Sequence, residues 1–223
     1  MLETVVVEPQ GAHRASVVWL HGLGADGHDF QPVVPELGLA ADAGVRFIFP
    51  HAPVRPVTLN NGMAMRAWYD IASLDVSARE DAEGIEASRA EVEALIAAER
   101  EAGIPARAIV LAGFSQGGAI ALHTALRHPE RLAGVMGLST YLPLRDRLAG
   151  EVSDANRDLP VFMAHGSLDP MLPQQLGEMS RDRLQAVGYE IAWHSYPMQH
   201  QVCLEEIRAI GDWLRGVLPM PGN

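Results

Sequence analysis

The sequence contains no lysine; all 17 of its basic residues are arginines. That absence excludes every chemistry built on a side-chain amine, including a pyridoxal Schiff base, a Walker lysine, a Ser-Lys dyad and an S-x-x-K acylase. Cysteine is almost as scarce. Cys203 is the only one, so no internal disulfide can form and nothing calls for an oxidising compartment. Positive charge is in deficit, with a formal net charge of -11. Such a surface repels phosphate backbones and anionic membranes, so nucleic acid is not an expected partner. No uninterrupted apolar run approaches the ~18 residues that span a bilayer. The first residues, Leu2-Glu3-Thr4-Val5-Val6-Val7, lack the basic and then apolar signature of a secretory signal. The expectation is a cytoplasmic protein without integral membrane association.

What is present is a chain of 223 residues, 48% of them hydrophobic, enough for a substantial core in one domain spanning 1–223. Short β-branched runs alternate with amphipathic stretches, which predicts a mostly parallel sheet of about seven strands with helices on both faces. The strand candidates are Val5–Val7, Ser16–Leu20, Arg46–Phe49, Ala108–Ala112, Gly134–Leu138, Val161–Ala164 and Glu190–Tyr196. One helix is expected from about Asp81 to Ala102, where Ile85, Val92, Leu95 and Ile96 recur at helical spacing until Gly103 and Pro105 stop it. Another is expected from about Val202 to Arg215, carrying a stripe of Cys203, Ile207, Ile210 and Leu214. Between 51 and 80 no period is sustained, and loops of that length inside compact domains are usually functional. This stretch reads as a pocket-forming excursion.

Gly113-Phe114-Ser115-Gln116-Gly117 matches G-x-S-x-G, a pattern too short to decide anything alone. Its flanks decide more. The run from Ala108 to Ala112 reads as a buried strand and Gly118 to Leu122 as a helix ending near His128-Pro129. Strand, sharp turn and helix lift a serine hydroxyl clear of a sheet edge, and glycines on both sides remove side chains that would clash there. A serine needs a base to become nucleophilic, and in this arrangement an acid and a histidine follow it along the chain. His165 precedes the best acid and His194 falls within a strand, whereas His200 lies beyond Pro197 in a loop that can reach the sheet edge. Asp169, in the loop after Val161–Ala164, is the acid; Asp154 and Asp158 precede that strand and Asp182 reads as helical. Its task is to hold one tautomer of the imidazole. An oxyanion hole needs the amide after the nucleophile, that of Gln116, and one from an earlier loop. In His21-Gly22-Leu23-Gly24 the flanking glycines leave the Leu23 amide free to turn inward. Leu23, Met65, Trp68, Leu74, Tyr141, Met171 and Leu172 are apolar candidates near this edge, of which Trp68 and Leu172 are taken as the substrate pocket.

Four segments carry a resemblance: His21 to Gly27, Phe49-Pro50-His51-Ala52-Pro53 through Ala67-Trp68-Tyr69-Asp70, Gly113 to Gly118, and His165-Gly166-Ser167-Leu168-Asp169. Together they make nearly the whole chain resemble the acyl-protein thioesterase and phospholipase/carboxylesterase family. The resemblance implies the α/β-hydrolase fold, hydrolysis of acyl esters and thioesters, and no cofactor or metal. It also implies a triad of Ser115, Asp169 and His200 with oxyanion donors at Leu23 and Gln116. The expected partner is a small-molecule or acyl-chain ester or thioester, an acylated protein included, and an apolar sheet edge is compatible with a homodimer. A ligand-binding protein without catalysis, an acyltransferase and a peptidase are the alternatives. The chain departs from the family beside its histidine, where Gln199 replaces a usual glycine and Gln201 a small or acidic residue, and after the acid, where Met171-Leu172 replaces branched aliphatics. If the glycine served a positive φ, Gln199 would cost about 1 kcal/mol there.

Overall fold

The computed structural model describes residues 2–73 and 80–220. Seven strands form the central sheet: β1 (Thr4–Val7), β2 (Ala15–Leu20), β3 (Val45–Pro50), β6 (Ile109–Phe114), β7 (Gly134–Leu138), β8 (Val161–Gly166) and β9 (Ile191–Tyr196). Their order is β1-β3-β2-β6-β7-β8-β9. Only β1 runs antiparallel, pairing Val5 with Phe49, and every other neighbour pair is parallel. The central strands β2, β6, β7 and β8 are almost wholly buried, which explains why they read as continuous apolar runs rather than alternating ones. Helices cover both faces, the α/β-hydrolase arrangement expected from the sequence.

Within 51–80 lies a two-stranded antiparallel hairpin, β4 (Val54–Val57) and β5 (Met63–Arg66), so the excursion is more ordered than the missing periodicity suggested. Four-residue strands are too short to print an alternation, and the tight link through Asn61 and Gly62, both at positive φ, closes the hairpin. Residues 74–79 of the excursion, Leu74 among them, fall outside the described residues. After it comes α1 (Ala82–Glu101), whose N-cap Asp81 accepts the Gly84 N–H. Its inner face presents Ile85, Val92, Leu95 and Ile96, all buried, as the spacing required.

The remaining helices are α2 (Gln116–Ala125), the short α3 (Leu148–Glu151), α4 (Gln174–Ala186) and α5 (Leu204–Val217). The α5 stripe of Ile207, Ile210 and Leu214 is buried, but Cys203 stands one residue ahead of the helix as its N-cap. Asp154 and Asp158 are exposed and paired to Arg157 and Arg131. Among the described residues no helix is long and apolar enough to cross a membrane.

Because β2, β6, β7 and β8 run in one direction, their carboxyl ends meet along one edge. The loops holding His21, Ser115, Ser139 and Asp169 all leave from that edge. Parallel topology alone therefore gathers residues nearly 150 positions apart.

Candidate active site

Ser115 is the residue between β6 and α2, with φ 53° and ψ -121°, a region in which an L-residue is strained. The neighbours hold it there. Its N–H donates to the Leu138 carbonyl at 2.8 Å, and its own carbonyl accepts from Thr140 Oγ1 at 2.6 Å. A Cβ at Gly113 would come within 2.3 Å of the Gly117 carbonyl carbon, and one at Gly117 within 2.4 Å of the Leu20 oxygen. The two glycines are thus required by close backbone approach at the turn.

The Ser115 hydroxyl lies 2.9 Å from His200 Nε2, and His200 Nδ1 lies 2.6 Å from Asp169 Oδ2. A carboxylate only accepts, so the imidazole proton sits on Nδ1 and leaves Nε2 free to take the serine proton. The Asp169 side chain is fully buried, while His200 retains 19% exposure on the open side. The other carboxylate oxygen accepts the N–H groups of Met171 and Leu172, both at 2.9 Å. Those two bonds fix the carboxylate so that its other oxygen faces His200.

Asp169 has a second histidine beside it. His165 is buried, donates from Nε2 to the Leu172 carbonyl at 2.8 Å, and stands 3.5 Å from Asp169 Oδ2. Burial holds its pKa below the usual histidine value, so it braces the turn from 169 to 172 as a neutral ring. In the sequence His165 stands out only as preceding the acid; its spacing of four from Asp169 was the available signal.

Gln199 adopts a negative φ: the non-glycine residues with positive φ among those described are Asn61, Ser115, Ser139 and Leu144. The substitution of glycine therefore brings no backbone strain. The small residue that this contact requires stands on the other side of it, because a Cβ at Gly166 would meet the Met198 and Gln199 carbonyl oxygens at 2.4 Å. Gly166→Ala is expected to push the His200 loop away from Ser115. A displacement near 1 Å can cost about 100-fold in rate, while overpacking costs about 1–3 kcal/mol of stability. Steady-state kinetics beside thermal melting would check it, and an unchanged kcat would refute it.

The loop from His21 to Gly24 lies against the elbow, with a Cβ at Gly22 falling 3.5 Å from Ser115 Cβ. The backbone N–H groups of Leu23 and Gln116 have no hydrogen-bond partner among the described residues. Two unengaged amides beside a nucleophile are what a developing oxyanion requires.

Trp68 needs correction as a pocket residue. It is fully buried, its indole N–H donates to the His21 carbonyl at 2.9 Å and its amide N–H to Gln116 Oε1 at 2.8 Å. Ser88 Oγ donates to its carbonyl. With no surface open to solvent it cannot meet substrate, and it ties the excursion to the loops under the site. Leu172 is also buried, at 4% exposure, and its backbone serves Asp169 and His165. Met171, at 60%, is the exposed apolar neighbour. Gln116, singled out for its backbone amide, also bridges Trp68 N–H and the Tyr69 carbonyl with its side chain, 2.8 Å each, a task no local pattern signals.

Asp26, His28 and His51 bring potential ligand atoms within 4.8 Å of one another. His51 Nδ1 already accepts the Gly27 N–H at 3.1 Å, so the proton of the neutral ring sits on Nε2 and no lone pair is free for a cation.

The sequence profile of the phospholipase/carboxylesterase family matches residues 1–218. Acyl-protein thioesterase 1 of Neurospora crassa is 43% identical over 224 residues, covering 96% of this chain and 91% of the relative. A protein of the same name from Cryptococcus neoformans is 41% identical and covers 97% and 98%. Among solved structures, acyl-protein thioesterase 2 of Zea mays superposes with a TM-score of 0.88 at 32% identity, over 98% of this chain and all of that one.

Proposed function

Since the chain belongs to the phospholipase/carboxylesterase family and is a serine hydrolase of carboxylic esters and thioesters, we propose that Ser115, His200 and Asp169 carry the reaction. The observation behind this is the continuous relay from the Ser115 hydroxyl through His200 to Asp169, at 2.9 and 2.6 Å.

The serine oxygen attacks the acyl carbon as its proton passes to His200 Nε2. The carbonyl π electrons move onto oxygen, and the resulting oxyanion accepts hydrogen bonds from the Leu23 and Gln116 N–H groups. Collapse re-forms the carbonyl and breaks the bond to the alcohol or thiol, which leaves with the proton from His200. Water then repeats the sequence on the acyl-enzyme and releases the carboxylic acid. Asp169 stays ionised throughout and stabilises the imidazolium, held by the two amides on its far oxygen.

The substrate class we propose is an acylated protein or an acyl lipid, in line with relatives named acyl-protein thioesterases. Exposed Leu168 and Met171, at 63% and 60%, flank Asp169 and suit an apolar chain arriving from solvent. A panel of p-nitrophenyl esters, S-acylated peptides and unmodified peptides, scored by kcat/KM, tests it. Turnover of esters and thioesters without peptide-bond cleavage is expected; peptide cleavage at a comparable kcat/KM would overturn it.

A further inference from the structure

His21 stands outside the relay, at the start of the loop proposed to supply one oxyanion donor, and both of its ring nitrogens are engaged. Nδ1 lies 2.7 Å from the Gly22 carbonyl oxygen and Nε2 lies 3.0 Å from the Ala52 nitrogen. The Ala52 N–H can only donate, so Nε2 is the bare nitrogen and Nδ1 carries the proton. The ring is 2% exposed. Burial is the first cause holding its pKa below the ordinary histidine value, and nearby Arg66 adds to it, so the neutral ring this pattern needs is also the favoured one.

The peptide joining Gly22 to Leu23 is planar and trans, which fixes its N–H opposite its C=O. The Gly22 oxygen is drawn to the His21 ring, with a second, longer contact from Ala25 N–H at 3.3 Å. The Leu23 N–H is therefore turned the other way and stays unengaged beside Ser115. His21 in turn is held by Ala52 N–H on its ring and by the Trp68 indole on its carbonyl.

We infer that His21 is a positioning residue: its Nδ1–H, presented by the tautomer that Ala52 selects, sets the orientation of the Leu23 amide and hence transition-state stabilisation. This rests on the hydrolytic role proposed for Ser115. Because an oxyanion forms only during reaction, the effect belongs to kcat and not to KM.

The test separates the two ring nitrogens. In His21→Asn the amide NH2 can occupy the place of Nδ1 and keep the Gly22 contact; in His21→Gln the longer amide reaches toward Ala52 and leaves Gly22. Each variant, with His21→Ala, is assayed on a p-nitrophenyl ester, titrated with a trifluoromethyl ketone that forms a tetrahedral adduct on the serine, and melted. Expected is a kcat within about tenfold of wild type for His21→Asn. For His21→Gln and His21→Ala a loss of about 100-fold is expected, the scale of one oxyanion donor. KM stays within about threefold throughout, and inhibitor affinity falls in parallel with kcat. Equal losses in the Asn and Gln variants, or losses that follow KM or the melting temperature while inhibitor affinity holds, would overturn the role. Fluorophosphonate labelling of wild-type Ser115 is scored separately. An unlabelled wild type defeats the hydrolytic reading itself, whereas a labelled wild type with equal Asn and Gln losses defeats only the part given to His21.

Discussion

Replacing Ser115 with alanine is expected to lower kcat by on the order of a million-fold, the scale seen when a triad hydrolase loses its nucleophile, and to abolish fluorophosphonate labelling. Stability should scarcely change. The strain at φ 53° belongs to any residue with a Cβ, so alanine neither adds nor relieves it. The contacts fixing the turn are made by the backbone, Ser115 N–H to Leu138 and Ser115 C=O to Thr140, and survive the substitution. Only the bond from the hydroxyl to His200 is lost, a partly exposed contact worth about 1 kcal/mol. A protein that melts like wild type but does not turn over would place the defect in chemistry. Should the variant keep even 1% of kcat on a p-nitrophenyl ester, Ser115 would not be the nucleophile.

The assignments that the sequence permitted are those with a strong local constraint. A buried parallel strand must be apolar throughout, so β2, β6, β7 and β8 could be read to within a residue or two. An elbow must carry glycine where backbones nearly touch, so Gly113 and Gly117 marked Ser115. Trp68 was misjudged because an aromatic beside a presumed pocket has the same pattern whether it faces substrate or braces a loop; the hydrogen bonds to His21 and Gln116 decide it, and both are long-range. Gln199 shows the converse. A departure from the family's glycine looked like strain, but φ there is negative, and the space that the contact demands is left by Gly166 on another element. The ring of His21 and the side chain of Gln116 were visible as members of motifs, while their tasks depend on Ala52, Trp68 and Tyr69 arriving from the excursion.

Glu206 supports the second large effect. It lies in the first turn of α5, six residues beyond His200, at 0% exposure, and neither carboxyl oxygen has a hydrogen-bond partner among the described residues. Burial pushes its pKa up to about 8 from an ordinary value of 4.5; the Cys203 backbone N–H pulls the other way without closing a bond. The folded protein therefore keeps the proton over a range in which the unfolded chain has lost it. Stability from this group is fully present below about pH 4.5 and is lost as pH rises toward 8, because the folded state binds more protons there. Each unit of separation is worth about 1.4 kcal/mol, so the loss between pH 5 and 8 is on the order of 4 kcal/mol. Glu206→Gln keeps the shape, cannot ionise and should escape this loss. The unfolding free energies of variant and wild type, measured by urea titration at several pH values, should diverge as pH rises, with the variant the more stable at pH 8. Differencing the two curves cancels the other titrating groups, including Glu8 with Arg46 and Glu86 with His123. Curves that stay parallel from pH 5 to 8 would mean that Glu206 ionises in the folded protein as it does in the unfolded chain, and that the carboxyl has found a partner beneath the loop carrying His200.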